Sequence, residues 1–121
     1  MHIQQEKNRH GLTIDAYQQD DIIINGQSHN LPIVISRNKL LNVELPSRAL
    51  ELTSHLVEQL MEEKPEMIII GSGDHQEFLP DHVLFPALKN RIGVECMTSA
   101  AASRTFTILA SEGREVIAVI Y

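Results

Sequence analysis

Met67-Ile68-Ile69-Ile70-Gly71-Ser72-Gly73 is an apolar run closed by a glycine turn, and together with the stretch from that turn to Tyr121 it decides the fold. A helical stretch leads from the turn to Gly93. A second strand-like run, Val94-Glu95-Cys96-Met97, then opens into Thr98-Ser99-Ala100-Ala101-Ala102-Ser103-Arg104-Thr105. Strand, tight turn, helix, strand, helix, strand is the order of an α/β domain. It also sets a glycine turn and a helix start at one sheet edge, where such folds bind ligands.

Within this tract, Met67 to Ile70 is apolar throughout, as expected of a central strand covered on both faces. Asp81 is positioned to cap the next helix, with Val83, Leu84, Ala87 and Leu88 along one side. Pro86 falls inside that pattern, which predicts a distortion or a shifted helix start. Gly93 suits the position just beyond the helix or the turn after it. Thr98 or Ser99 caps the last helix, which runs to about Ser111 and ends at Gly113. Val116-Ile117-Ala118-Val119-Ile120 is a final buried strand.

Upstream, the sequence is richer in strand signals. Residues 1–11 are mostly polar and read as a loosely ordered lead-in. Leu12, Ile14 and Ala16 alternate with polar residues, the pattern of a half-buried strand. Ile22-Ile23-Ile24 precedes Asn25-Gly26, a hairpin signal because both turn residues must take positive φ. Pro32 belongs at an edge or a strand start, ahead of Ile33-Val34-Ile35. Residues 38–45 are ambiguous. Either Pro46-Ser47 opens a helix or Thr53 caps a shorter one, with Leu52, Leu56, Leu60 and Met61 on one face. Pro65 stops it near Glu63. The prediction is a single three-layer α/β domain over 1–121. Its central sheet is mixed, and an N-terminal β-hairpin is followed by β-α-β-α-β.

The chain has 121 residues, 43% hydrophobic and 21% charged, which fits one globular domain and no disordered tail. Its formal net charge of −6 repels phosphate backbones. Lys89 with Arg91 is the nearest thing to a basic patch, so neither nucleic acid nor polybasic membrane attachment is expected. No apolar run reaches the roughly 20 residues that span a bilayer, and no membrane insertion is expected. The lone Cys96 forbids an internal disulfide and fits a reducing compartment. The first residues lack the apolar stretch of a secretory signal and the Arg-rich character of a mitochondrial one. A cytoplasmic location is the expectation.

Two features carry candidate chemistry. Gly71-Ser72-Gly73 can present backbone N–H groups to an anion, although it lacks the dinucleotide and P-loop signatures. The plainer reading is a tight strand exit. The helix start at Thr98-Ser99 offers unpaired N–H groups and a positive dipole end, and Arg104 adds a charge. The plainer reading there is capping, with the alanines packing closely on the sheet. Taken together, Gly71, Ser72, Gly73, Thr98, Ser99, Arg104 and Thr105 form the candidate ligand or anion crevice. Cys96, inside an apolar strand, reads as a buried inert thiol. The six histidines, including His75 and His82, show no metal-ligand spacing, so no metal is expected. Asp74, Glu77 and Asp81 read as a solvated, capping cluster. No complete catalytic set is present, and no cofactor is expected.

These residues also carry a resemblance. The pieces are Ile70-Gly71-Ser72-Gly73, Gln76-Glu77-Phe78-Leu79-Pro80, Ile92-Gly93-Val94-Glu95-Cys96-Met97, Ala101-Ala102-Ser103-Arg104-Thr105-Phe106 and Leu109-Ala110-Ser111-Glu112-Gly113-Arg114. Together they resemble a small family of unknown function found in bacteria, archaea and mitochondria. It includes mitochondrial complex I assembly factor 3 and an adipogenesis-associated relative. The likeness is close over about 55 residues and loose upstream of them. Where that family has aspartate, threonine, cysteine, tyrosine and asparagine, this chain has Thr98, Ser99, Ser103, Phe106 and Thr107. A carboxylate, a phenol and an amide are thereby lost. The resemblance implies a three-layer α/β fold and a protein-interaction role. The expectation is a non-catalytic accessory protein with a protein partner, a homodimer being left open. The alternative is a small-molecule or anion-binding domain, an enzyme included, using the crevice above.

Overall fold

A computed structural model describes residues 11–121. The lead-in expected at the N-terminus therefore lies, apart from Gly11, outside the described residues. The strands are β1 (Ile14–Tyr17), β2 (Asp21–Ile24), β3 (Gln27–Asn30), β4 (Ile33–Ser36), β5 (Leu40–Leu41), β6 (Met67–Gly71), β7 (Gly93–Met97) and β8 (Val116–Ile120). The α-helices are α1 (Ser54–Met61), α2 (Asp81–Lys89) and α3 (Ser99–Ser111), with a 3-10 turn at Ala49–Glu51.

The central sheet has five strands in the order β5-β4-β8-β6-β7. β8, β6 and β7 run parallel, while β4 is antiparallel to β8, so the sheet is mixed as expected. Side chains alternate across it and feed two cores. Val34, Ile68, Ile70, Ile117 and Val119 face α1 and α2. Ile35, Ile69, Val116, Ala118 and Ile120 face α3 and the N-terminal strands. All five residues of β8 are buried, because both of its faces are covered.

The N-terminal strands form their own three-stranded sheet, β1-β2-β3. It covers the α3 side and does not extend the central sheet; Ile22 and Ile24 join Phe106 and Ala102 in that core. Asn25 and Gly26 turn the β2–β3 hairpin at φ 48° and 81°, as the dipeptide requires. The expected inward position of Ala16 is corrected by a bulge in β1. Ile14 pairs Ile24, but Ala16 pairs Ile23 and Tyr17 pairs Ile22. The extra residue leaves Ala16 exposed and turns Tyr17 inward.

Of the two openings offered by residues 46–53, the helix starts at Thr53, and Pro46-Ser47 does not open one. The 3-10 turn comes after Pro46-Ser47, and Thr53 Oγ1 then caps α1 by accepting the Leu56 N–H at 3.2 Å. Asp81 does not cap α2. It is the first helical residue, behind Pro80, and gives no capping bond. Leu79 and Leu84 lie on the same core across this helix start and fix the chain's entry. α2 continues through Pro86, whose ring is buried. Its C-terminal turn belongs to Arg91 and not to Gly93. Arg91 takes φ 62°, its N–H bonds the Leu88 carbonyl, and the Ile92 N–H bonds Ala87. Gly93 instead begins β7, opposite Met67. At the end of α3, Gly113 takes the same role at φ 83°. No helix among the described residues is long and apolar enough to cross a membrane.

Candidate functional site

β6 and β7 end side by side, with Gly71 paired to Met97 and, on its other flank, to Ile120 of β8. α3 begins immediately after β7. Thr98 Oγ1 accepts the Ala101 N–H at 3.3 Å as its cap. The helix start comes so close to β6 that a Cβ on Gly71 would lie 3.0 Å from Ser99 Cα, Ser99 Oγ and Ala102 Cβ. Glycine is needed here for space.

Ser99 is wholly buried and ties three elements together. Its hydroxyl accepts the Gly73 N–H at 2.8 Å and donates to the Tyr121 carbonyl at 2.7 Å. Its own N–H donates to the Gly73 carbonyl at 2.9 Å. The Ser72 N–H donates to the Met97 carbonyl at 3.0 Å. Ser72 Oγ donates to the His75 carbonyl at 2.6 Å and accepts the Glu77 N–H at 3.0 Å. Tyr121 closes the knot. Its N–H reaches the Gly71 carbonyl at 3.0 Å, and its carbonyl also accepts the Tyr17 hydroxyl at 2.8 Å. The Tyr121 hydroxyl donates to the Pro46 carbonyl at 3.0 Å. Burial, with the Glu51 carboxylate second, pushes this phenol up to about 12.

Gly71, Ser72, Gly73, Thr98 and Ser99 are thus brought together at the sheet edge. Arg104 and Thr105 stand further along α3, Arg104 exposed and Thr105 half-buried. The crevice expected from all of them divides in two. Ser72 lines a hollow of about 230 Å³ with Arg48, Asp74, His75, Glu77 and Tyr121. Arg104 lines a separate groove of about 160 Å³ with Asp15, Tyr17 and Ser103, against β1. The division comes from the buried Ser99, which fills the space between turn and helix. The N–H groups of Ser72, Gly73 and Ser99 are all engaged within the protein.

The hollow beside Ser72 carries mixed charge. Arg48 approaches Glu77 at 3.8 Å, and Gln19 Nε2 donates to Asp74 at 2.7 Å. Arg48 and Tyr121 were not legible as neighbours of the glycine turn. Tyr121 had one local signal, a polar-tipped residue directly after an apolar strand. Arg48 had none. Cys96 is half-buried, because β7 is an edge strand. Among the described residues no three His, Cys, Asp or Glu side chains converge as metal ligands.

The fold and this edge define a three-layer α/β domain whose parallel strand ends are locked to a helix start by a buried serine. Residues 14–121 match a protein family of unknown function (DUF498/DUF598), and the chain belongs to that family. It is 27% identical to the 13 kDa major membrane protein of Francisella tularensis subsp. holarctica, over 99% of this chain and 98% of that one. It is 28% identical to human NADH dehydrogenase [ubiquinone] 1 alpha subcomplex assembly factor 3, over 91% of this chain. The matched region spans 60% of that protein's own length. In structure it is similar to a crystal structure of a Bordetella parapertussis protein, with TM-score 0.83, 28% identity and coverage of 91% and 94% of the two chains.

Proposed function

We propose that this chain is a non-catalytic accessory protein that acts by binding another protein, in the manner its assembly-factor relatives' name implies. The observation that carries the reading is that the stretch shared with the human assembly factor takes in 91% of this chain. The internal bonding of the glycine turn agrees with it, because the donors a ligand would need there are spent on the fold. The lone Cys96 suits a reducing compartment, and the cytoplasm is the proposed location. The test is capture of the full chain from the cells that make it, with cross-linking, and then reconstitution. A defined complex that re-forms from the two purified proteins is the expected result. A chain that yields no reproducible partner overturns the reading.

A second reading, a small-molecule or anion site at this edge, draws on the polar hollow that Ser72 shares with Arg48 and His75. It predicts that phosphates or carboxylates raise the melting temperature, since a ligand bound only to the native state stabilises it. Arg48→Ala removes that shift if the ligand sits beside Ser72, and Arg104→Ala removes it if the ligand sits against β1. A shift untouched by either substitution, or none at all, rules the site out.

A further inference from the structure

We propose that the chain pairs with a second copy of itself along β7, in an antiparallel arrangement about a two-fold axis at Val94. Of the two edges of the central sheet, β5 has two residues and β7 has five. An edge strand of that length leaves a row of N–H and C=O groups without a ladder. The Met97 carbonyl points toward β6, where it accepts the Ser72 N–H. Alternation along the strand then turns the peptide groups of Ile92, Val94 and Cys96 outward. Two of those outward groups already have partners. The Cys96 carbonyl accepts Gln76 Nε2 at 2.8 Å, and the Ile92 N–H bonds the Ala87 carbonyl at 2.9 Å.

The groups left over are self-complementary. With Val94 opposite its own copy, the two Val94 residues exchange both of their hydrogen bonds. Cys96 then falls opposite Ile92 of the copy. The Cys96 N–H and the Ile92 carbonyl, neither bonded by another described residue, then meet, and Gln76 Nε2, 2.8 Å from the Cys96 carbonyl, swings aside as the copy approaches. Glu95 falls opposite Gly93, so no like charges meet, and Gly93 has open space where a Cβ would stand.

The helix packed beside β7 also leaves apolar side chains uncovered. Five large apolar side chains are exposed among the described residues, and three lie between residues 78 and 88: Phe78 at 72%, Phe85 at 59% and Leu88 at 49%. A two-fold axis perpendicular to the sheet sets α2 antiparallel to its copy on the same face. Asp81 stands in the first turn of α2 and Lys89 in its last. The axis therefore brings the acidic end of one helix to the basic end of the other. An isologous contact of this kind joins two five-stranded sheets into one.

Sedimentation of the full chain at rising concentration tests this, with circular dichroism as a check on folding. The expected result is a reversible dimer. Val94→Pro removes an outward N–H that no other described residue bonds, and it should abolish the dimer. Phe85→Glu with Leu88→Glu should do the same without touching β7. Asp81→Lys and Lys89→Asp should each weaken the dimer, and their combination should restore it. A chain that stays monomeric overturns the proposal. So does a dimer that survives both Val94→Pro and the double glutamate change, or a charge swap that the second change does not rescue.

Discussion

Gly71 lies outside the left-handed region, so its backbone is open to any residue, and the restriction on it is contact. An added methyl would meet Ser99 Cα at 3.0 Å, which is helix backbone and cannot rotate aside. Ser99 is in turn held from both sides by Gly73 and Tyr121. Gly71→Ala must therefore push α3 off the sheet or bend the end of β6. Overpacking of this kind costs about 1–3 kcal/mol. A urea titration should show a lower midpoint with an unchanged slope. Wild-type stability in Gly71→Ala would mean that the helix start has slack that these contacts do not reveal.

At the scale of elements, legibility in the sequence tracked how local the cause was. The Asn25-Gly26 hairpin, the Thr98 cap and the Gly113 end of α3 each depend on residues within one turn of themselves, and each was readable. The glycine turn and the helix start were readable as neighbours because parallel strands share an edge. The failures lie where tertiary contact chose. Arg91 holds a left-handed position that glycine ordinarily takes, while Gly93, two residues on, opens β7 opposite Met67. The β1 bulge arises from pairing with β2, and periodicity within β1 could not reveal it. The split crevice depends on how deeply Ser99 is buried, which no spacing rule reports. A cap residue and a buried bridge have the same sequence signature.

At the scale of the whole molecule, Tyr121 joins the layers. Its main chain bonds Gly71 of the central sheet, Ser99 of α3 and Tyr17 of the N-terminal sheet, while its hydroxyl reaches Pro46 on the segment before α1. The fold holds its phenol protonated, moving it from 10.0 up to about 12. A group whose folded value lies above its unfolded one contributes stability that is complete below the unfolded value. That contribution drains away as pH rises through the folded value. Stability should therefore fall between pH 10 and about 12 by an amount that belongs to this one side chain. The measurement is a difference between wild type and Tyr121→Phe, in which every contribution the two proteins share cancels. At neutral pH the variant should be less stable by about 1 kcal/mol, the ordinary worth of the lost bond to Pro46. Across the alkaline window the two curves should converge, because the variant has no phenol to ionise. Parallel curves from pH 10 to 12 would show that the Tyr121 phenol is free to ionise in the folded chain, and the clamp between the layers would then rest on its main chain alone.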